Sequence, residues 1–246
     1  MYLYIDMITE IPSGLKKMAP VKENMDVYIK DINRNIPSAN GFVWCLCGSG
    51  GSGKSSLLLS MFKSKEYYRG KFDNIYLFTP LTSYLSVEKH PFDKHDKVFH
   101  ELDCNTLKDI QDELLSIKED CIDNDYEMEN SLFLVDDFAG DLKDKNMIKC
   151  LNRMILKTRH INCSWIFTLQ SYYMFPKILR KQMNYITIFK PKNVEEWNSI
   201  AKEVFGISKD KQQELYDYCF NEQYQHLDLD LRTSRMFKNF NELLLK

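Results

Sequence analysis

One stretch of this chain has the spacing of a phosphate cradle. Gly48-Ser49-Gly50-Gly51-Ser52-Gly53-Lys54-Ser55 fits the pattern G-x-x-x-x-G-K-[ST]. Glycines leave consecutive backbone N–H groups free to close around a polyphosphate, and a helix starting there would turn its positive end to the same anion. Lys54 would reach the β- and γ-phosphates, Ser55 would ligate Mg²⁺, and Ser49, Ser52 and Ser56 complete the expected contact set. The competing reading is a Gly/Ser-rich linker. A linker would not sit between an apolar run and a helical pattern.

Further along, Ser131-Leu-Phe-Leu-Val135 runs into Asp136-Asp137. A carboxylate at the end of a buried strand is costly unless it is solvated or faces a cation. Asp136 is therefore expected to serve the metal through water. Asp137 would orient or deprotonate the attacking water. Gln170 closes another apolar run, so in a parallel sheet it emerges at the same edge; its amide can donate to the γ-phosphate and accept from water. The alternatives are a helix-capping or turn Asp and an ordinary loop amide.

Arginine is sparse. Arg159 precedes the run that Gln170 ends, so it belongs to the opposite edge, about 25–30 Å from its own phosphate loop if the intervening residues are extended. It cannot reach its own nucleotide but could complete a neighbour's site in a ring. Arg180, beyond Gln170, is the rival finger. Lys143 and Lys145 after the Asp pair, and Lys177 and Lys181 after Gln170, are candidates for sequence-independent contact with nucleic-acid phosphates. His90, His95 and His100 are spaced too loosely for a metal site and read as solvated loop residues.

The elements that must position these groups follow from hydrophobic patterning. Phe42–Cys47 is a continuous apolar run, and Asp73–Thr79, Ser131–Val135, Cys163–Leu169 and Asn184–Phe189 read as further strands. Helical spacing appears over 56–62, 105–119, 145–158, 194–205 and 209–221. Residues 81–104 read as a loop with one short strand at 97–102. His226–Leu231 and Met236–Phe240 alternate as a hairpin would. A strand near Tyr2–Ile8 and a helix near Met25–Asn33 complete the reading. Strands alternating with helices predict an α/β fold with a mainly parallel sheet. The division expected is an N-terminal extension (1–40), a nucleotide-binding core (41–191) and a C-terminal appendage of helices and hairpin packed on it (192–246).

Composition narrows the class. The chain has 246 residues, 44% hydrophobic and 28% charged, with a formal net charge of −2. That suits a globular protein and excludes a polycation, though not a locally basic ring bore. No apolar stretch reaches the roughly 20 residues that span a membrane, and Met1–Asp6 lacks the features of a signal peptide. The seven cysteines are scattered without a C-x-x-C pair. Cys45 and Cys47, two apart in a strand, read as small buried hydrophobes on one face of an intracellular protein.

Taken in order, the Walker A run, the Asp136-Asp137 pair and Arg159-His160-x3-Ser164-x5-Gln170-x5-Pro176-x3-Arg180-x3-Asn184 resemble the FtsK–HerA superfamily. The resemblance covers about residues 41–190. It is closest to the poxvirus-type genome-packaging ATPases of large double-stranded DNA viruses, a branch shared with virophages and polinton-like elements. It implies a RecA-like core, a hexameric ring, ATP and Mg²⁺ as cofactors, double-stranded DNA as substrate, and a capsid or portal vertex as partner. Host cytoplasm or a viral factory is the implied location, with no membrane. On this sequence, Lys54 and Ser55 match the phosphate and metal residues and Asp136 the metal carboxylate. Gln170 matches the sensor glutamine and Arg159 the trans-acting arginine. Asp137 stands where many members carry a catalytic Glu, one methylene longer.

Other classes fit less well. A GTPase switch would need N-K-x-D, an ABC ATPase L-S-G-G-Q, a small-molecule kinase an Arg-rich lid, and a two-lobed helicase a second core. The live alternatives are a related motor for segregation, conjugative transfer or phage export, and a monomeric P-loop NTPase or nucleotide-binding scaffold.

Overall fold

The computed structural model describes residues 28–88, 90–138 and 140–244. The expected Tyr2–Ile8 strand lies outside them. The phosphate loop hangs from β1 (Val43–Cys47), all of whose residues are buried. A strand buried on both faces needs partners on both sides, and β1 has them: β5 (Cys163–Leu169) pairs parallel on one side and β6 (Tyr185–Phe189) parallel on the other. Beyond β5 lie β4 (Ser131–Val135), β2 (Asn74–Phe78) and the two-residue β3 (Val98–Phe99), all parallel. Beyond β6 the sheet turns antiparallel through β7 (His226–Asp230), β8 (Arg235–Lys238) and β9 (Asn241–Leu243). The order is β3-β2-β4-β5-β1-β6-β7-β8-β9.

Side-chain alternation splits the core. Val43, Cys45 and Cys47 join Phe133, Trp165 and Phe167 on one face. That face is covered by α3 (Cys104–Asp123), α4 (Lys145–Ile155), α6 (Val194–Ile200) and α7 (Lys209–Cys219). Trp44 and Leu46 join Leu132, Leu134 and Ile166 on the other face, beneath α1 (Lys54–Met61) and the Tyr68–Phe72 loop. Cys45 and Cys47 do share a face, their sulfurs 3.4 Å apart.

The C-terminal hairpin is hydrogen-bonded into the central sheet, and Leu227 and Leu229 belong to the same core as β1 and β5. A buried polar chain ties it there. The Trp44 indole N–H donates to Thr187 Oγ1 (3.0 Å), and the Thr187 hydroxyl donates to Asp228 Oδ1 (2.6 Å). His226 Nδ1 lies 2.9 Å from both Asp228 oxygens, and the Phe240 N–H donates to Asp228 Oδ2 at 3.1 Å. Asp228 is fully buried, and these partners offset the cost of burying its carboxylate.

Two elements differ from the sequence reading. Within 25–33, the described residues 28–33 form no helix: Tyr28 bridges Ala39, the Ile29 N–H donates to Ser38 O, and Asp31 has φ +56°. Burying Ile29 and Ile36 together folds this stretch back on itself instead. Within 81–104 there is a helix, α2 (Leu81–Leu85), which starts after Pro80. It is only five residues long, and its Leu81 and Leu85 stay exposed, so burial does little to hold it. Between α4 and α6 a short helix, α5 (Lys177–Arg180), follows the loop after Gln170. No helix among the described residues is long and apolar enough to cross a membrane.

Candidate active site

Register sets the site. β1 and β5 end level, Cys47 opposite Leu169, and the Gly48 N–H donates to Leu169 O at 3.0 Å. The chain then wraps from Ser49 to Gly53 and enters α1 at Lys54. Two glycines are required by the backbone. Gly53 caps the helix at φ +103°, a region costly for any residue with a Cβ. At Gly48 a Cβ would stand 2.6 Å from Ser52 Oγ and 2.7 Å from Phe189 Cβ. Lys54 folds back over this loop and donates to Gly48 O (2.6 Å) and Ser49 O (3.0 Å). Its burial pulls the ammonium below the usual lysine pKa, against the attraction of Asp136 and Asp137.

β4 and β5 run in register with Val135 opposite Phe167, which brings Asp136 level with Thr168. The Thr168 hydroxyl donates to Asp136 Oδ1 at 2.5 Å and accepts the Asp137 N–H at 3.2 Å. Burial raises the Asp136 pKa from its ordinary value, and the neighbouring Asp137 adds to this. The Thr168 bond and Lys54 act in the opposite direction. Asp137 leaves the strand at φ +61°, a conformation that costs a non-glycine residue about 1–3 kcal/mol. That turn places its carboxylate between two donors, Gln170 Nε2 (3.1 Å, to Oδ1) and Ser83 Oγ of α2 (3.2 Å, to Oδ2).

Gly50, Gly51, Lys54, Ser55, Asp136, Asp137, Thr168 and Gln170 all line one cavity of about 190 Å³, roofed by α2 and the segment to Phe92. The predicted phosphate, metal and water-activating residues therefore converge. A half-buried carboxylate beside a second carboxylate is a good cation ligand, so Asp136 with Ser55 fits Mg²⁺. Gly51, Lys54 and Ser55 also line a second hollow on the β6 side, with Ser56, Phe189, Tyr224 and His226. There the Tyr224 ring lies against Gly53, 3.3 Å from where a Cβ would stand. Tyr224 is exposed and left-handed (φ +65°).

The two arginines differ. Arg159 packs its backbone and Cγ against Gly41, at the start of β1 and thus at the edge of the sheet remote from the phosphate loop. It is exposed, and among the described residues no hydrogen bond or ion pair holds its guanidinium. Arg180 is engaged within its own subunit: it donates to Glu203 Oε2 at 2.9 Å and lies 4.7 Å from the Tyr172 ring centre. Lys143, Lys145, Lys177 and Lys181 are exposed on short helices or helix starts.

His90 corrects the expectation of a solvated loop histidine. It is buried against Tyr84 and Phe92, its Nδ1 accepts the Phe92 N–H at 3.2 Å, and it lines the cavity. Burial lowers its pKa from the ordinary histidine value. Thr168, Ser83 and Tyr224 are site residues that sequence reasoning did not find. Parity along β5 is the signal that could have shown Thr168 beside Asp136. The other two arrive from distant segments.

Comparison with known proteins agrees with this geometry. The sequence pattern of one family, described as Poxvirus A32 protein, matches residues 29–214. Curated protein sequences give no match. Among solved structures, the genome packaging NTPase B204 from Sulfolobus turreted icosahedral virus 2, in complex with AMPPCP, is 19% identical with a TM-score of 0.54. The match covers 83% of this chain and 99% of that one. EssC (ATPases 2 and 3) from Geobacillus thermodenitrificans is 13% identical with a TM-score of 0.55, covering 91% of this chain and 46% of that one. The cytoplasmic domain of the Thermomonospora curvata type VII secretion ATPase EccC is 11% identical at 0.55, covering 82% and 24%. These likenesses establish the fold; the family match goes further, and with the phosphate loop and its acidic partners it identifies the chain as an ATPase of the P-loop class belonging to the Poxvirus A32 protein family.

Proposed function

We propose that the chain is a subunit of a ring-shaped motor that hydrolyses ATP to drive double-stranded DNA into a viral capsid. The observation that carries the reading is the single cavity holding Lys54, Ser55, Asp136, Asp137 and Gln170. In it the phosphate loop and Lys54 bind the triphosphate. Ser55 and Asp136 would hold Mg²⁺, which would supply neutralisation of phosphate charge. Asp137, aimed by Gln170 and Ser83, takes the proton of the attacking water, and Gln170 senses the γ-phosphate. The nucleobase leaves on the side of Tyr224, because the catalytic cavity occupies the other side of the loop.

Among the described residues, no arginine of the same subunit lines that cavity. Transition-state charge is then met by a neighbour, and Arg159 is the better candidate because Arg180 is occupied by Glu203 and Tyr172. That argument supports a ring; the hexamer rests on the family resemblance, as do the capsid vertex as partner and the viral factory as location. The family match and the likeness to B204, a genome packaging NTPase, support DNA packaging over segregation or transfer.

The test is ATP hydrolysis with and without linear duplex DNA across protein concentration. A DNA-stimulated rate that steepens with concentration is expected, abolished by Lys54→Ala. A rate indifferent to both variables would mean that the site is complete within one subunit, and would refute the motor.

A further inference from the structure

On the face of the sheet opposite α1, α3 and α4 leave a groove of about 790 Å³ between them. Its lining is chemically one-sided. Lys108 comes from α3, Lys149 and Arg153 from α4, and Lys157 from the turn that follows; no carboxylate is among the lining residues. All four cations are exposed, and none has an ion pair among the described residues. In a chain of net charge −2 this is a local concentration.

The α4 cations recur every four residues, a row that Lys145 extends at its start. Like charges at this spacing destabilise a helix, so the row costs the free protein stability. The remaining polar lining includes Gln111, whose Nε2 is buried without a hydrogen-bond partner among the described residues. The floor stays neutral, because burial and the neighbouring Cys104 push the Cys150 thiol up to about 11. From Lys149 to Lys157 the row spans about 12 Å, the rise of three to four phosphates along one DNA strand at about 3.4 Å each.

We propose that this groove is a binding track for the phosphate backbone of duplex DNA, distinct from the nucleotide site. The proposal rests on the DNA-motor reading and names the face that DNA meets. Cations and amide donors are what phosphate contacts use. A protein partner would be anchored by buried aromatics, and the groove offers none.

The test is a triple variant, Lys149→Gln with Arg153→Gln and Lys157→Gln, measured in binding to a labelled linear duplex over about 50–200 mM salt. The slope of log Kobs against log salt is expected to become shallower by about 2.7, and each single variant should account for about 0.9. Arg153→Lys, which keeps the charge, should hold the wild-type slope. ATP hydrolysis without DNA should be unchanged, since none of these residues touches the nucleotide cavity. Should the triple variant fail to fold, the single variants decide. Wild-type slopes in the variants, with the wild type binding DNA normally, would overturn the track and leave the motor reading intact. Lost self-association in sedimentation with an unaltered DNA slope would also overturn it and make the groove a subunit contact. A wild type with no affinity for duplex at low salt would overturn the motor reading, and the track with it.

Discussion

Replacing Thr168 by valine keeps the shape of β5 and removes one hydroxyl that does two jobs. It takes from Asp136 Oδ1 its 2.5 Å donor, and from the Asp137 N–H its 3.2 Å acceptor. A hydrogen bond to an ionised group contributes about 1.5–3 kcal/mol, and a buried N–H left unpartnered costs about 1–3 kcal/mol. Because Asp137 is partly solvated, the expected total is about 3 kcal/mol. For a chain of this size that lowers Tm by about 6–12 °C.

The loss should depend on pH. Burial raises the Asp136 pKa and the Thr168 bond opposes that rise, so the valine variant carries a still higher pKa. A carboxyl whose folded pKa exceeds its unfolded one costs stability once it ionises. The variant is therefore most destabilised near neutral pH, and the difference from wild type shrinks on acidification as Asp136 takes up a proton. The acid limb of the hydrolysis profile should move to higher pH, because the Mg²⁺ role proposed for Asp136 requires it ionised. Thermal unfolding at about pH 5 and about pH 7.5 would be compared for the wild type, Thr168→Val, Thr168→Ser and each in an Asp136→Asn background. Serine keeps the hydroxyl and should restore the acid limb. An identical Tm loss at both pH values and in both backgrounds, with an unmoved acid limb, would refute the coupling and reduce Thr168 to packing.

Two further outcomes are expected. Arg159→Ala should abolish hydrolysis while ATP affinity stays near wild type, and mixing it with Lys54→Ala should restore some activity, since a subunit with an intact phosphate loop then meets a neighbour with an intact arginine; no recovery on mixing, or full activity of Arg159→Ala alone, would count against a finger acting in trans. Tyr224→Ala should weaken ATP about tenfold, in line with the roughly 1–3 kcal/mol of an aromatic–base stack, and leave inorganic tripolyphosphate competition unchanged; equal weakening of both ligands in a competition titration would show that Tyr224 supports the loop rather than the base.

Much of the site was legible because its residues sit where buried strands end. The apolar runs of β1, β4 and β5 declare themselves by continuity, and each hands its next residue to the same sheet edge: Gly48, Asp136 and Gln170. What the sequence concealed depends on tertiary placement. Ser83 belongs to a helix only five residues long, and reaches Asp137 only because α2 folds over the loop. Tyr224 lies far from Gly53 in the chain and meets it through the antiparallel return of β7. His90 looked polar and proved buried, because ring packing with Tyr84 and Phe92 replaces solvent. Arg180 stood at the right spacing for a finger, and Glu203, which occupies it, carried no motif.

The place of β1 in the sheet has a mechanical consequence. Among the described residues it is the fifth strand of nine, hydrogen-bonded to β5 and β6, with four strands on either hand. A tug on the loop that follows Cys47 pulls along the strand axis, so it loads the ladders to β5 and β6 in shear, with many bonds resisting at once. A pull across the strands would unzip them one by one. The Trp44–Thr187–Asp228 chain adds a cross-brace to β7. Small displacements begun at the nucleotide would thus be delivered to both margins of the plate with little lost to internal give, which is the stiffness a stroke-producing machine requires of its lever.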